Sequence, residues 1–293
     1  MKKLMLLINP VAGKNAIGSS MIDLIDIFNR GGYEVEVVVT QSEEHLRNTV
    51  AERGSGFDTV VCCGGDGTLN LTCSELLKLD SSPSLGYIPC GTTNDFAKTR
   101  GIESDPIKAA KQIVKGTEHK IDIGFFGDRP YVYVGAFGIF SDVSYATSRS
   151  LKRAIGHAAY ILGGIKAIAH IKSYHIKIKI GNEEIEDDFI YGMVSNTQRV
   201  GGFKLPLFSE FVLDDGLIDI TLVRKPKGFK RRNRLVRALF RQKSDGVELM
   251  QFRTDSFSYE SDKEIAWTID GEYGGSYKSH TVKIVGGLIT MIY

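Results

Sequence analysis

The first 120 residues alternate between apolar runs and amphipathic segments. Residues 4–8 form an unbroken apolar run, which is typical of a strand covered on both faces. An amphipathic segment over residues 19–30 predicts a helix, and two glycines end it. The same rhythm predicts strands at 35–39, 59–63 and 85–88, and helices at 43–53, 68–79, 94–99 and 106–114. This β-α order predicts a Rossmann-like α/β unit with a parallel sheet and helices on both faces.

From about Lys120 the pattern changes. Residues 174–180 alternate apolar and polar side chains, and residues 218–223 are rich in β-branched side chains. Further strands are predicted at 131–134, 252–259, 265–269 and 281–292, with helices at 148–172 and 229–241. We therefore expect an α/β domain over residues 1–121 and a mostly antiparallel β-sandwich domain over 122–283. A tail at about 284–293 is expected to pack back on the first domain, and a cleft between the domains would hold a site.

The composition is that of a globular protein with little net charge. The chain has 42% hydrophobic and 25% charged residues and a formal net charge of +2, which argues against a strongly basic nucleic-acid binder. Its four cysteines show no metal-ligand spacing, so we expect a reduced, cytoplasmic protein. The apolar part of MKKLMLLI is too short for a secretory signal core, and no stretch is long enough to span a bilayer.

Three polar, glycine-containing turns follow predicted strands. They are N-P-x-x-G at 9–13, G-G-D-G-T at 64–68 and G-T-T-N-D at 91–95, and Thr40 closes a fourth strand. Backbone N–H groups at such turns and at helix N-termini bind phosphate. One glycine pair could be a plain turn, but three turns at the carboxyl ends of parallel strands indicate a nucleotide site. Neither the G-x-G-x-x-G pattern nor the Walker A pattern is present.

In this order and spacing, the three motifs resemble the catalytic domain of the diacylglycerol kinase family, most closely its bacterial soluble lipid kinases. The resemblance continues through D-I-G at 122–124, G-G-F-K-L-P at 201–206, L-D-D-G-L at 213–217 and D-G-E at 270–272. The G-G-D-G-T loop alone is shared with NAD kinases and, as G-G-D-G-S, with phosphofructokinases. The full set is specific, and it implies an ATP-dependent lipid kinase that uses Mg²⁺.

The resemblance implies a role for individual residues. Asp66 would act near the Mg²⁺ and the phosphates, while Asp270 and Glu272 would hold the acceptor hydroxyl, one of them as general base. A structural Mg²⁺ would lie near the D-D-G turn, held by Asp215 and the backbone around Val212 and Leu217. The residues expected to hold ATP are Asn9, Pro10, Val11, Ala12, Gly13, Thr40, Gly64, Gly65, Asp66, Gly67, Thr68, Leu69, Asn70, Gly91, Thr92 and Thr93.

The residues themselves leave alternatives open. D-G-E and D-D-G are also ordinary turn sequences, and Asp122 is a strand-end acid expected to bridge the domains. Two positions depart from the family: Leu71 stands where a glutamate is common, and the strand at 131–140, Y-V-Y-V-G-A-F-G-I-F, lacks the usual asparagine. Besides the lipid kinase, an NAD kinase-like enzyme and a catalytically weak nucleotide- or lipid-binding regulator therefore remain candidates.

Residues 227–243, K-G-F-K-R-R-N-R-L-V-R-A-L-F-R-Q-K, predict a basic helix. Its apolar residues fall on one face and most of its cations on the other. The helix could simply dock on the second domain with a solvated basic face. The alternative is a patch for anionic phospholipid headgroups, and thus peripheral membrane association. No nucleic-acid-binding motif accompanies these charges. A homodimer is left open.

Overall fold

The computed structural model describes residues 1–12, 17–138, 172–197, 199–200, 203–204, 212–241 and 243–293. The predicted helix at 148–172 falls outside these residues except for its last residue, and Gly13 lies outside them too. The first part of the chain follows the expected alternation of strands and helices. Its elements are β1 (Lys2–Ile8), α1 (Met21–Arg30), β2 (Tyr33–Val39), α2 (Glu43–Arg53), β3 (Thr59–Gly64), α3 (Asp66–Leu76), β4 (Ser84–Pro89), α4 (Asp95–Arg100) and α5 (Pro106–Lys115).

The later part of the described chain is rich in strands. It contains β5 (Glu118–Phe126), β6 (Arg129–Tyr131), β7 (Val134–Gly138), β8 (Tyr174–Ile180), β9 (Glu183–Ser195), β10 (Arg199–Val200), β11 (Phe203–Lys204), β12 (Ile218–Arg224), α6 (Gly228–Arg241), β13 (Leu249–Thr254), β14 (Ser256–Ile269) and β15 (Glu272–Ile292). No helix within the described ranges has the length and apolar character needed to cross a bilayer.

Parallel and antiparallel pairing meet within one sheet. The order β2-β1-β3-β4 is parallel throughout, and the last residues of β15 add to β4 in parallel. The other pairs that β15 and the second-half strands form are antiparallel, including β15 with β5 and β14, and β9 with β7, β8 and β12. The molecule is thus an α/β protein in which the long strand β15 belongs to both parts of the sheet.

The apolar run of β1 is buried on both faces, as its sequence predicts. Met5 and Leu7 belong to one hydrophobic cluster, and Leu4, Leu6 and Ile8 belong to another on the opposite face. The first cluster includes residues of α2 and α3, and the second includes residues of α1 and α5. All four cysteines are free and buried, and Cys62 and Cys63 lie in β3.

Several predicted boundaries were wrong, each for a local reason. Helix α3 begins at Asp66 rather than at residue 68, so this aspartate lies in the first helical turn. The strand predicted at 131–134 is broken between β6 and β7, because the backbone N–H groups there donate to the buried carboxylate of Asp270. The strand predicted at 252–259 is divided at Asp255 into β13 and β14.

A glycine bulge in β15 joins the two parts of the sheet. The register between β15 and β5 shifts between Val285 and Ile289. Within this bulge Gly287 has a φ of 67°, a conformation that glycine adopts without strain. Its N–H donates to Asp122 Oδ1 at 3.0 Å. Asp122 lies in the middle of β5 and not at a strand end as expected, and this bond ties it to the strand that belongs to both the parallel and the antiparallel parts of the sheet.

Candidate nucleotide and phosphoryl-transfer site

The three polar turns meet at the carboxyl edge of the parallel strands. Asn9 Nδ2 donates to Thr68 Oγ1 at 2.9 Å, which ties the first turn to the second. Gly65 and Gly91 approach so closely that a Cβ on Gly91 would lie 2.7 Å from the Gly65 Cα. A side chain at Gly91 would therefore push the second and third turns apart. The sequence expectation that these turns share one rim is met by direct contact between them.

Helix α3 presents an uncapped N-terminus at this rim. Its N-cap is Gly65, which has no side chain to accept a hydrogen bond from the first helical N–H groups. The N–H groups of a first helical turn and the positive end of the helix dipole both favour an anion at this position. The helix has 11 residues, long enough for its peptide dipoles to act together. This end of α3 can bind a phosphate group.

Asp66 lies in the first turn of that helix with one oxygen satisfied and one not. Its Oδ2 accepts the N–H of Asp95 at 3.1 Å, whereas its buried Oδ1 has no hydrogen-bond partner among the described residues. Burial raises the pKa of Asp66 to about 6, and the nearby charge of Asp95 acts in the same direction. A buried carboxylate oxygen without a donor suits a cation or a proton-bearing ligand at this edge.

The two acids of the D-G-E turn have different environments. Asp270 is 6% exposed, and its carboxylate accepts N–H groups of Val132, Tyr133 and Val134 at 2.7–3.1 Å and the side-chain amide of Asn70. Burial nevertheless raises its pKa, since desolvation outweighs these donors. Such a carboxylate fixes the backbone between β6 and β7.

Glu272, by contrast, is exposed. Its Oε1 lies 3.6 Å from the position that a Cβ on Gly67 would take, and Arg129 lies 3.8 Å from its other carboxylate oxygen. The G-G-D-G-T loop and the D-G-E turn are therefore neighbours. Of the two acids proposed for the acceptor hydroxyl, Glu272 is the one with a carboxylate open to a substrate.

Backbone strain is concentrated at these motifs. Within the described ranges, the non-glycine residues in the left-handed region are Asn94 (φ 49°), Asp214 (φ 56°) and Asp270 (φ 48°). They lie in the G-T-T-N-D, D-D-G and D-G-E turns respectively. Asparagine and aspartate tolerate this conformation better than other side chains do, but it still costs energy. Its recurrence in three motif turns fits a site whose geometry is held by surrounding contacts.

The remaining residues expected at the nucleotide differ in their exposure. Pro10, Val11 and Thr92 are exposed, while Ala12 and Thr93 are half-buried. Thr40 is buried, and its hydroxyl donates to the carbonyl of Ile8 at 3.1 Å. The side chain of Leu69 belongs to the hydrophobic core, and Asn70 binds Asp270, so these two residues face the protein interior.

The D-D-G turn is held by protein contacts. Asp214 forms a bidentate pair with Arg100, both N–O distances being 2.7 Å, and its Oδ1 also accepts the N–H of Asp122. Asp122 in turn accepts the N–H of Gly216 at 2.7 Å. The backbone carbonyl of Asp122 accepts from Asn196. Asp122 thus joins the D-D-G turn to β15, through the backbone N–H groups of Gly216 and Gly287.

Sequence reasoning did not identify Asp95, Arg100 or Tyr133 as site residues. Asp95 binds Asp66, and Arg100 at the other end of α4 binds Asp214. Tyr133 is 8% exposed; burial raises its pKa, and the charges of four carboxylates add to that shift, those of Asp270, Asp66, Asp95 and Glu272. The sequence did point to the segment that contains Tyr133, because residues 131–140 lack the asparagine that is usual in the family.

Comparison with known proteins agrees with the motifs. Residues 3–126 match the family model described as the diacylglycerol kinase catalytic domain. A diacylglycerol kinase of Bacillus subtilis (strain 168) is 27% identical over 286 residues, covering 97% of this chain and 94% of the relative. A diacylglycerol kinase of Staphylococcus haemolyticus is 27% identical over 278 residues, covering 94% of this chain and 84% of the relative.

Solved structures share the fold along the whole chain. The crystal structure of a diacylglycerol kinase from Bacillus anthracis str. Sterne has a TM-score of 0.79 at 21% identity and covers 100% of this chain and 97% of its own. Another Bacillus anthracis str. Sterne structure has a TM-score of 0.83 at 23% identity, with the same coverage. At these identities the likeness shows the α/β fold alone.

The family-model match and the curated relatives define a lipid kinase. The match of residues 3–126 to the diacylglycerol kinase catalytic domain confirms the resemblance that the motifs carry.

Proposed function

We propose that the protein transfers the γ-phosphoryl group of ATP to the hydroxyl of diacylglycerol or a related lipid. The observation that carries the proposal is the position of Glu272 beside Gly67, because it puts an open carboxylate next to the phosphate-binding end of α3. Phosphoryl transfer needs in-line positioning, neutralisation of charge and an acceptor for the hydroxyl proton. The first two are supplied from the rim of the parallel strands, and the third by Glu272.

In this proposal ATP and its Mg²⁺ are held by the described residues of the three turns. The cation would neutralise phosphate charge, and the buried, unpartnered Oδ1 of Asp66 fits a place beside it. The uncapped N–H groups of α3 bind phosphate oxygens. Glu272 accepts the proton of the lipid hydroxyl, and Asp270 fixes the backbone beside it through its contacts with residues 132–134.

We also infer the finer architecture that the sequence suggested. Residues 1–121 would be a Rossmann-like nucleotide-binding domain and residues 122–283 a β-sandwich domain for the lipid. The parallel order β2-β1-β3-β4 supports the first assignment, and the antiparallel pairs of β9, β12 and β14 support the second. The return of β15 to β4 supports a C-terminal tail that packs on the first domain.

The test is transfer of radiolabel from γ-labelled ATP to a panel of lipids in mixed micelles, with NAD as a separate acceptor. We expect a labelled diacylglycerol-type product and none with NAD. Glu272→Gln should lower turnover ~10²–10⁴-fold while ATP binding is retained, because a general base contributes about that much. Glu264→Gln removes an exposed glutamate of β14 and should leave turnover unchanged.

Other results would support a rival function. Labelling of NAD but of no lipid would favour an NAD kinase-like enzyme. ATP binding without transfer to any acceptor would favour a regulator. Full activity of Glu272→Gln would remove this residue from the mechanism.

We further propose that α6 brings the protein to an anionic membrane surface. Leu235 and Ala238 are buried, which fixes one side of the helix on the protein, whereas Phe229 is 67% exposed. Arg231 and Arg234 pair with Glu248 and Asp245, so they belong to the docked side. Lys230, Arg237 and Arg241 have no ion-pair partner within the part of the chain that the structure describes. These three cations and an exposed aromatic ring suit anionic headgroups.

Co-sedimentation with phosphatidylcholine vesicles, with and without phosphatidylglycerol, tests this contact. Lys230→Gln/Arg237→Gln/Arg241→Gln should weaken binding to anionic vesicles on the order of 100-fold, since each basic residue near such a surface contributes about 1 kcal/mol. The control, Lys108→Gln/Lys111→Gln/Lys115→Gln on α5, changes the net charge equally and should have little effect. If both variants lose the same affinity for anionic vesicles, the binding depends on net charge and not on α6.

A further inference from the structure

Family resemblance implies a structural Mg²⁺ at the D-D-G turn, with Val212, Asp215 and Leu217 as its ligands. Mg²⁺ requires several oxygen ligands in near-octahedral geometry and binds carboxylates that are free to face it. The donor set of this turn can therefore be compared with that requirement. Within the described ranges, no group of three or more histidine, cysteine, aspartate or glutamate side chains could hold a metal ion.

Asp215 is already engaged at both carboxylate oxygens. Its Oδ2 accepts from the guanidinium of Arg253 at 2.6 Å, and its Oδ1 accepts the N–H of Leu217 at 3.1 Å. The Nε of Arg253 lies 3.0 Å from Asp219 Oδ1, so one guanidinium holds two acids. A divalent cation at Asp215 would have to displace the Arg253 guanidinium or bind beside it. Coulomb repulsion between the two positive charges disfavours binding beside it.

The neighbouring acids are engaged in the same way. Both oxygens of Asp214 bind Arg100, whose side chain is 1% exposed. Both oxygens of Asp122 accept backbone N–H groups, from Gly216 and Gly287. Every carboxylate oxygen of Asp122, Asp214 and Asp215 thus has a protein donor. The carboxylates at this turn are therefore not free to hold a structural Mg²⁺.

We propose that Arg100 and Arg253 hold the D-D-G turn in place of a structural cation. Each arginine neutralises one acid of the turn from a different element: Arg100 from α4, which follows the G-T-T-N-D loop, and Arg253 from β13. Guanidinium groups suit this role because their planar donors match carboxylates and remain charged. The proposal goes beyond the proposed function, since it concerns what holds the junction and not which acceptor is phosphorylated.

The test is thermal unfolding without nucleotide, in EDTA and in MgCl₂. The wild type should melt at the same temperature in both conditions. Arg253→Gln should melt lower in EDTA and regain part of the difference in MgCl₂, because Asp215 is then free to bind a cation. Arg253→Lys keeps the charge and should show a smaller loss with little response to Mg²⁺.

Mn²⁺ binding provides a second test, which does not require Arg253→Gln to fold. Mn²⁺ binding to the nucleotide-free wild type is followed by its paramagnetic signal and compared with Asp215→Asn and Asp66→Asn. We expect that any Mn²⁺ bound by the wild type is lost in Asp66→Asn and unaffected in Asp215→Asn. The proposal would be overturned if Asp215→Asn abolished a Mn²⁺ site of the wild type. It would also be overturned if EDTA lowered the melting temperature only when Asp215 is intact. Neither readout depends on kinase activity.

Discussion

The acidic turns at the two ends of α4 differ in whether their carboxylate oxygens have hydrogen-bond donors. At one end Asp66, in the G-G-D-G loop, has a buried oxygen with no donor in the described structure and a pKa raised by burial to about 6. At the other end Asp214, in the D-D-G turn, has both oxygens in a bidentate pair with Arg100. Desolvation tends to lower the pKa of Arg100, but the bond to Asp214 outweighs it and the pKa is raised.

This difference separates acids that hold structure from acids that await a ligand. A buried carboxylate without a donor destabilises the fold unless something binds it. A carboxylate whose oxygens are paired stabilises the geometry around it and has little left for a substrate. Among the acids of the motif turns, Asp122, Asp214, Asp215 and Asp270 are satisfied, whereas Asp66 and Glu272 are open.

Among the variants that test this comparison of the two turns, Asp66→Asn is expected to have the largest effect. Loss of its charge should lower turnover ~10²–10³-fold, comparable to the loss of one preorganised electrostatic group in other active sites. Its effect on stability should have the opposite sign. Because the folded-state pKa is raised to about 6, the stability that Asp66 contributes is present below its unfolded pKa of about 4 and is lost as the pH rises through 6.

The melting temperature of Asp66→Asn should therefore equal or exceed that of the wild type at pH 8, and the difference should shrink towards pH 5. Differential scanning calorimetry across this range and a lipid kinase assay check the two parts. If Asp66→Asn lowers stability at pH 8 as a paired acid would, the comparison between the two turns fails.

The apolar pattern predicted the parallel half of the fold well because its strands are buried on both faces. It did not predict β9, which opens with the acidic sequence E-E-I-E-D-D. Those charges are stabilised by partners on the neighbouring strand β8, such as Lys177 with Glu184 and His175 with Glu186. Cross-strand charge pairs leave no hydrophobic signal in a single segment.

The motifs predicted which turns meet at the site, but not which side chains are satisfied there. Asp214 and Arg100 are 114 residues apart in the chain, and nothing in either local sequence indicates that they pair. The roles of Asp270 and Glu272 likewise could not be separated from the D-G-E sequence. Only the fold shows that residues 132–134 surround Asp270 with N–H donors.

A smaller effect, on stability, is expected for Arg100→Met. The substitution keeps much of the apolar volume but leaves Asp214 without its bidentate partner, so we expect a loss of about 3 kcal/mol in the free energy of unfolding, in line with broken buried ion pairs. Urea unfolding measures it. The matched control is Arg30→Met, whose pair with Asp26 is exposed and should contribute below about 0.5 kcal/mol. Equal losses in the two variants would contradict a structural role for the Arg100 pair.

The smallest effect on stability is expected for Asp270→Asn. This variant tests whether Asp270 is a satisfied acid or an open one. Asparagine tolerates the left-handed backbone at this position, so the turn itself is preserved. Its amide has one acceptor oxygen where the carboxylate has two, so at least one backbone N–H near β7 loses its partner. The loss of that bond is partly offset by relief of the desolvation that raises the pKa of Asp270. The net loss should be about 1–2 kcal/mol.

Turnover of the folded Asp270→Asn protein should fall less than that of Glu272→Gln, because the substituted group positions backbone and does not take the proton. Urea unfolding and single-turnover kinetics on the same preparation separate the two contributions. If Asp270→Asn keeps wild-type stability but loses turnover as completely as Glu272→Gln, Asp270 is an open acid that touches substrate. Contact with the substrate, and not the number of hydrogen-bond partners, would then distinguish the open acids from the satisfied ones.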